Sequence, residues 1–352
     1  MLYEANALHF TGVDGEVIYR CGITWTEMQK GHSVKTGLPP LWSPLAYVML
    51  FYSGLRVGEF WKEYRHLQRI LAKPDDHYRS MTMHETGKKP RKLSVPDFEL
   101  RRHQEFILHN ILSRVQFPSC VTAYRKGCSI RNCAAPHLHA KVLVHLDIRD
   151  FFGSITREMV EEALEKQLGF PDSVVKLLAD LCCCRGVLPQ GAPTSPALSN
   201  LVFRPCDKML MTLAEANGLT YTRYADDLFF SGSVENIPFL IQRIRLRLLM
   251  NGFRLNDDKI SVMRSGRAKK VMGLTVEDKV QVERAYRRKL RQEIHYVERF
   301  GKDAAGVKAA GSYYTYLHSL QGKVGYVLSV SPEDREFQAA AQTVKRLIDR
   351  DL

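Results

Sequence analysis

The run TRYADDLFFSG, residues 222 to 232, constrains this chain more than any other stretch. Its aromatic and apolar residues predict a strand hairpin, yet two carboxylates, Asp226 and Asp227, sit side by side within it. Like charges repel, and a carboxylate taken out of water is costly unless something compensates it. A fold that buries this run must therefore bring a cation to the pair. A third carboxylate, Asp147, follows VLVHL in the alternating run KVLVHLDIRDFF, which predicts a strand over 141–152. If that strand lies beside the hairpin, Asp147 and Asp226 meet across neighbouring strands with Asp227 close by. Asp also tolerates the left-handed backbone of a tight turn, which suits two of them at a hairpin tip.

Three converging carboxylates with no thiol among them make a hard-cation site, and the hard cation that also takes substrate phosphates is Mg²⁺. Two such ions about 4 Å apart would stabilise the attacking and leaving oxygens of a phosphoryl displacement. Paired Asp residues are also common in surface turns. The aromatic flanks argue against an exposed loop, and the weight falls on what accompanies the pair.

With 352 residues the chain is long enough for two or three packed units. Apolar residues at helical spacing over 43–73 include Leu45, Val48, Met49, Tyr52, Phe60, Tyr64, Leu67 and Leu71. The stretch TGKKPRKLSVPDFE reads as a basic turn, and ELRRHQEFILHNILSRV after it as a helix. TREMVEEALEKQL and PDSVVKLLADLCC are further helices. A Gly/Pro loop, PQGAPTSP, opens a long helix in which Pro205 predicts a kink or break, ending at Asn217-Gly218. Another helix, 236–252, follows the hairpin; short strands lie near 253–263 and 271–283, and the remainder is helical. Strands alternating with helices on one face of a mostly antiparallel sheet describe an α+β plan.

Lys and Arg outnumber Asp and Glu by 51 to 38, for a net charge of +13, which suits a polyanionic partner. Arg284, Arg287, Arg288 and Arg291 recur three and four apart along one side of a helix. Tyr313, Tyr314, Tyr316 and Tyr326 cluster after them. Arg planes and Tyr rings stack on single-stranded and looped RNA. The N-terminal sequence has no secretory pattern, and PLAYVMLFYSGL (44–55) is too short to span a bilayer, so a cytoplasmic protein without a membrane partner is expected. The eight cysteines are then expected to be reduced. Cys128, Cys133, His137 and His139 match no strong zinc-ligand spacing.

LDIRDFF, LPQGAPTSP and YADD occur in this order, and together they resemble the palm motifs of reverse transcriptases. The resemblance implies a right-hand polymerase: an N-terminal helical extension (1–74), fingers (75–140), a palm with an antiparallel sheet (141–283, with a fingers insertion near 153–185) and a helical RNA-binding thumb (284–352). It implies that Asp147, Asp226 and Asp227 are catalytic and, with Ile148, hold two Mg²⁺ ions. Phe152 would sit under the sugar of the incoming nucleotide, Gln190 and Gly191 would line its pocket, and Lys259 and Arg91 would meet the triphosphate. VMGL (271–274) resembles the turn that grips the primer. In the thumb, the four arginines with Tyr313 and Tyr314 would contact RNA.

AYRKGCSIRNCAAPH and LPQGAPTSPALSNL are similar, more narrowly, to the retron branch of the family. Two positions depart from its usual pattern: Cys133 stands where Asn is common, and Met272 where Thr is common. The branch implies an enzyme that copies part of a cognate noncoding RNA into branched RNA-linked DNA, in anti-phage defence. Its partners would be the RNA template and primer, the DNA product, deoxynucleoside triphosphates, and an effector or toxin protein. Other readings of the same motifs are a bacterial reverse transcriptase of group II intron, diversity-generating or abortive-infection type, or an inactive RNA-binding scaffold. A scaffold has no physical need for three crowded carboxylates. Accessory residues have ordinary readings too: His137 as a loop histidine, Lys259 as a solvated lysine, Phe152 as core packing.

Overall fold

A computed structural model describes residues 38, 41, 43–51, 57–84, 90–233, 235–264, 266, 268–304, 307 and 310–351. Tyr52 and the side chain of Phe60, both assigned to a helical face from sequence, lie outside the described set. In chain order the elements are α1 (Pro44–Phe51), α2 (Val57–Ala72), β1 (Tyr78–Met83), β2 (Arg91–Pro96), α3 (Phe98–Asn110), α4 (Ile130–Ala134), β3 (Val142–Asp147) and α5 (Phe151–Ser154). Next come α6 (Arg157–Leu168), α7 (Asp172–Cys182), α8 (Ser195–Glu215), β4 (Thr220–Tyr224), β5 (Asp227–Gly232), α9 (Ile237–Leu249), β6 (Ser261–Arg264), β7 (Lys270–Val271), β8 (Leu274–Val276) and β9 (Val280–Val282). Helices α10 (Arg284–Phe300), α11 (Tyr313–Val330) and α12 (Arg335–Asp351) complete the chain. This is an α+β fold with antiparallel sheets throughout. It divides into two compact units: Met1–Pro118 with Arg149–Asp207 and Leu248–Arg254, and Ser119–Ile148 with Lys208–Arg247 and Leu255–Leu352.

In the first unit, α3 starts where Asp97 accepts a hydrogen bond from the Leu100 amide at 2.9 Å, the expected use of Asp at an N-cap. Its buried Gln104 donates to the Leu181 carbonyl at the end of α7, 2.8 Å away. The basic turn expected over 86–99 is instead, from Arg91, the second strand of a β1–β2 hairpin. β1 is almost wholly exposed, so it carries no apolar alternation by which to recognise it. The break expected at Pro205 does not occur, because α8 runs through it. Proline there leaves the Leu201 carbonyl without its helical donor, and the side chain of Gln167 supplies one at 2.9 Å.

The strand expected over 141–152 stops at Asp147. Asp150 then takes a left-handed conformation (φ 46°) and the chain turns into the single turn α5. A Cβ at Gly153 would meet the Asp150 carboxylate, so a larger residue there would have to displace that side chain. Phe151 is buried against Phe203 and Phe253, at 5.7 and 6.0 Å between ring centroids. Phe152 is half-buried. Helical geometry rather than strand alternation separates the two rings.

The second unit is built on a four-stranded antiparallel sheet in the order β4-β5-β3-β6. Pairing of β3 with β5 sets Asp147 opposite Asp227, His145 opposite Phe229 and Leu143 opposite Ser231. Side chains alternate across a strand, so these six share one face. Leu146, Val144, Leu228 and Phe230 fill the other, all buried. Beyond the sheet, β7 and β8 join through Met272 and Gly273, both left-handed (φ 50° and 76°), the combination a primed hairpin turn demands. Helices α10, α11 and α12 pack through Leu290, Ile294, Leu317, Leu320, Val324 and Phe337.

Candidate active site

The three carboxylates come together at one end of this sheet. Asp147 is the last residue of β3, Asp227 the first of β5, and Asp226 occupies the turn between β4 and β5. Tyr224 pairs with Asp227, so the hairpin loop is only Ala225 and Asp226. The left-handed residue of that loop is Ala225 (φ 56°), where the sequence suggested Asp. The buried Arg223 steadies it by donating to the Ala225 carbonyl at 3.1 Å. Ile148, buried, donates its amide to the Asp226 carbonyl at 2.9 Å, tying β3 to the loop.

Asp147 is 4% exposed and gripped from two sides. The Asn256 amide donates to its main-chain carbonyl at 2.8 Å, and the Asn256 side chain lies 3.3 Å from its Oδ2. Lys259, on a single helical turn Asp257–Lys259, places its ammonium on Oδ1. That bond raises the Lys259 pKa above its usual value, with the charges of Asp147, Asp226 and Asp227 adding to it. Asp227 Oδ1 is 2.6 Å from His145 Nε2. Burial raises the Asp226 pKa, and repulsion from Asp227 and then Asp147 raises it further. Lys259 meets Asp147, and the repulsion that remains falls on Asp226.

Among the described residues, no three acidic, His or Cys side chains are drawn into closed ligand geometry. Lys259 and His145 each take one oxygen of the carboxylates instead. The donor set nonetheless consists of hard oxygens whose mutual repulsion Lys259 only partly offsets, which suits a hard divalent cation.

Of the other residues singled out from sequence, Gln190 and Gly191 belong to the first unit. The Gln190 carbonyl accepts from the Ser94 amide at 2.7 Å. Gly191 (φ 117°) runs so close to β2 that a Cβ would lie 3.0 Å from the Ser94 carbonyl oxygen. Arg91 is exposed at the start of β2, opposite Met83.

The four arginines of α10 divide. Arg287 is largely buried, ion-paired to Asp334, and stacked over Phe337 with 5.2 Å from its guanidinium carbon to the ring centroid. Arg291 is 2.6 Å from Glu336. Both therefore fasten α10 to the segment that begins α12, Arg287 from a largely buried position and Arg291 from an exposed one. Arg284 and Arg288 remain exposed. Tyr314 is exposed beside His318, with ring centroids 4.3 Å apart, whereas Tyr313 is half-buried under Lys302 and Tyr316 is core.

Sequence reasoning missed His145, Asn256 and Arg223. His145 could have been found: two residues before Asp147 on a strand means the same face. Asn256 could not, since only the folded loop brings it to Asp147. His137 and Cys133, weighed as metal ligands, are both committed to hydroxyls. The His137 ring nitrogens lie 2.7 Å from Ser231 and 2.7 Å from Thr222, and the Cys133 thiol 3.3 Å from Thr222.

Residues 63–295 match the family model described as reverse transcriptase (RNA-dependent DNA polymerase). The chain is 30% identical over 261 residues to the retron Ec86 reverse transcriptase of Escherichia coli, covering 73% of this chain and 81% of that one. It is 32% identical to the retron Mx65 reverse transcriptase of Myxococcus xanthus, covering 74% of this chain and 63% of that protein. Among solved structures, the apo telomerase of Candida tropicalis is similar at TM-score 0.44 and 10% identity, covering 63% of this chain and 60% of that one.

Proposed function

The chain belongs to the reverse transcriptase family and is an RNA-directed DNA polymerase of retron type, and from that premise we propose that it copies part of a cognate structured noncoding RNA into branched, RNA-linked single-stranded DNA. The cation in our reading is Mg²⁺, two ions held by Asp147, Asp226 and Asp227 with Ile148 alongside. When bound, these ions would stabilise the entering and leaving oxygens of nucleotidyl transfer. The observation that carries the reading is the register Asp147 opposite Asp227 with Asp226 one residue away.

The chain's own residues divide the remaining work. Asn256 and the β3–β5 pairing hold Asp147 at a fixed height on the sheet end. Lys259 neutralises Asp147 and, on release, is placed to orient a triphosphate. In the same reading Arg91 meets the triphosphate, Phe152 lies beneath the sugar, and Gln190 and Gly191 line the pocket. Arg284, Arg288 and Tyr314 offer exposed charge and a ring to RNA. The assignment of fingers to 75–140, palm to 141–283 and thumb to 284–352 belongs to this proposal, as do a cytoplasmic location, an effector partner and a role in anti-phage defence. No helix among the described residues is long and apolar enough to cross a membrane.

Sequencing the nucleic acid that co-purifies with the full chain tests the proposal. A short RNA joined through a branch to DNA is the expected species. Unbranched cDNA alone, as from another bacterial reverse transcriptase, overturns the retron product.

A further inference from the structure

His145 stands in the strand that carries Asp147, on the same face and two residues earlier. The register sets it opposite Phe229, and the two rings stack with centroids 4.7 Å apart at an interplanar angle of 12°. Phe229 is 2% exposed, so it is a fixed floor for the imidazole. A ring lying flat on that floor can aim its nitrogens only along the sheet. One of them, Nε2, meets Oδ1 of Asp227 across the diagonal of the strand pair at 2.6 Å. Diagonal neighbours on an antiparallel pair are within reach of a long or aromatic side chain, so the contact follows from register. An ionised carboxylate only accepts, which makes Nε2–H the donor.

We propose that His145 is a positioning residue for Asp227: its Nε2–H holds Oδ1, fixes the rotation of the carboxylate and leaves Oδ2 as the single oxygen presented to a divalent cation. This rests on the reading of Asp227 as a metal-holding group. Without the bond, the Asp227 carboxylate rotates freely beside Asp226, and the oxygen turned toward the cation is no longer fixed. Groups that orient a metal-holding side chain commonly govern metal affinity tenfold or more, although they never touch the metal. The stacking on Phe229 and the bond to Asp227 are separable, and that permits a test.

Full-length protein is titrated with Mn²⁺, following free Mn²⁺ by electron paramagnetic resonance, beside primer extension over a range of metal concentration. His145→Phe keeps a ring on Phe229 and loses the donor. His145→Gln keeps an amide donor and loses the ring. His145→Phe should weaken Mn²⁺ binding about tenfold and raise the half-saturating metal concentration in extension, with RNA affinity unchanged. His145→Gln should stay within about threefold of the parent. If His145→Phe does not fold, His145→Leu serves as the donor-less variant. Parental Mn²⁺ binding by the donor-less variant, or loss in His145→Gln with retention in His145→Phe, overturns the proposal. Asp227→Asn separates the two levels. If it too binds Mn²⁺ like the parent, the metal assignment itself falls; if it alone loses binding, only the role of His145 falls.

Discussion

The ammonium of Lys259 rests on Oδ1 of Asp147, the most buried of the three carboxylates. Asp147 is nearly out of water while Lys259 is 56% exposed along its side chain, so one partner is fixed and the other can leave. The pair offsets charge that burial would otherwise make costly. In the proposed reading that oxygen also faces metal, so lysine and metal would compete for it.

We therefore expect Lys259→Met to bind Mn²⁺ more tightly than the parent in the absence of nucleotide, by severalfold. The same variant should show a raised KM for deoxynucleoside triphosphates. Calorimetric titration and steady-state extension check both; weaker Mn²⁺ binding would show that Lys259 supports the metal site instead of competing for it.

Replacing Asp226 and Asp227 together by Asn should abolish DNA synthesis and leave RNA affinity within about twofold, because in the proposed reading the phosphate contacts come from exposed basic residues elsewhere. Removing the repulsion of two half-buried carboxylates on each other and on Asp147 should also raise the melting temperature of the metal-free protein. Measurable extension by the double variant contradicts the catalytic assignment.

Phe151 and Phe152 should part company when truncated. Phe151→Ala empties a buried aromatic site beside Phe203 and Phe253 and should cost about 3 to 5 kcal/mol of stability. Phe152→Ala should melt near the parent and, if the proposed position of the ring beneath the sugar holds, admit ribonucleotides, because the ring would exclude a 2′-OH by clash. Extension with each nucleotide type, beside thermal melts, reads both effects. Undiminished selectivity in Phe152→Ala places the gate elsewhere.

The arginines of α10 should divide in the same way. Arg287→Gln breaks a largely buried pair with Asp334 and should destabilise the fold by about 3 kcal/mol. Arg284→Gln with Arg288→Gln should leave stability alone, weaken RNA binding and lower its salt dependence by about one unit of slope for each phosphate no longer neutralised. Equal salt slopes for parent and double variant would mean that this face is merely solvated.

Two histidines make the fold acid-sensitive. Burial lowers the His103 pKa to about 3 and the His137 pKa to about 4. In the unfolded chain both titrate near pH 6.5, so the unfolded state takes up the protons first. Stability should be full above about pH 6.5 and fall as the pH drops toward 4, by about 2 kcal/mol per histidine at pH 5. Denaturant midpoints at pH 7 and pH 5 measure this, and His137→Gln should shrink the difference.

Much of the site was legible because its chemistry is written in short segments. A hairpin of aromatic residues with two carboxylates at its turn, and a β-branched strand ending in a third, can meet only if the strands pair; period-two alternation then assigns them a face. What the sequence could not express lies in loops and in partners far along the chain. Asn256 reaches Asp147 only when the segment after α9 folds back onto β3. The hairpin β1–β2 was invisible since exposed strands carry no burial pattern. Arg287 resembled its neighbours in α10 until Asp334, 47 residues away, claimed it.

The sequence by itself determined the strands that carry the acidic residues, the three carboxylates and their need for positive charge, because these follow from local alternation and the cost of burying like charges. Tertiary structure alone decided which donors meet that need: Lys259 on Asp147, His145 on Asp227, and Gln167 on the carbonyl that Pro205 leaves bare. The reason is physical. A buried polar group demands some partner, but its identity is fixed only by register and by how distant segments close on one another.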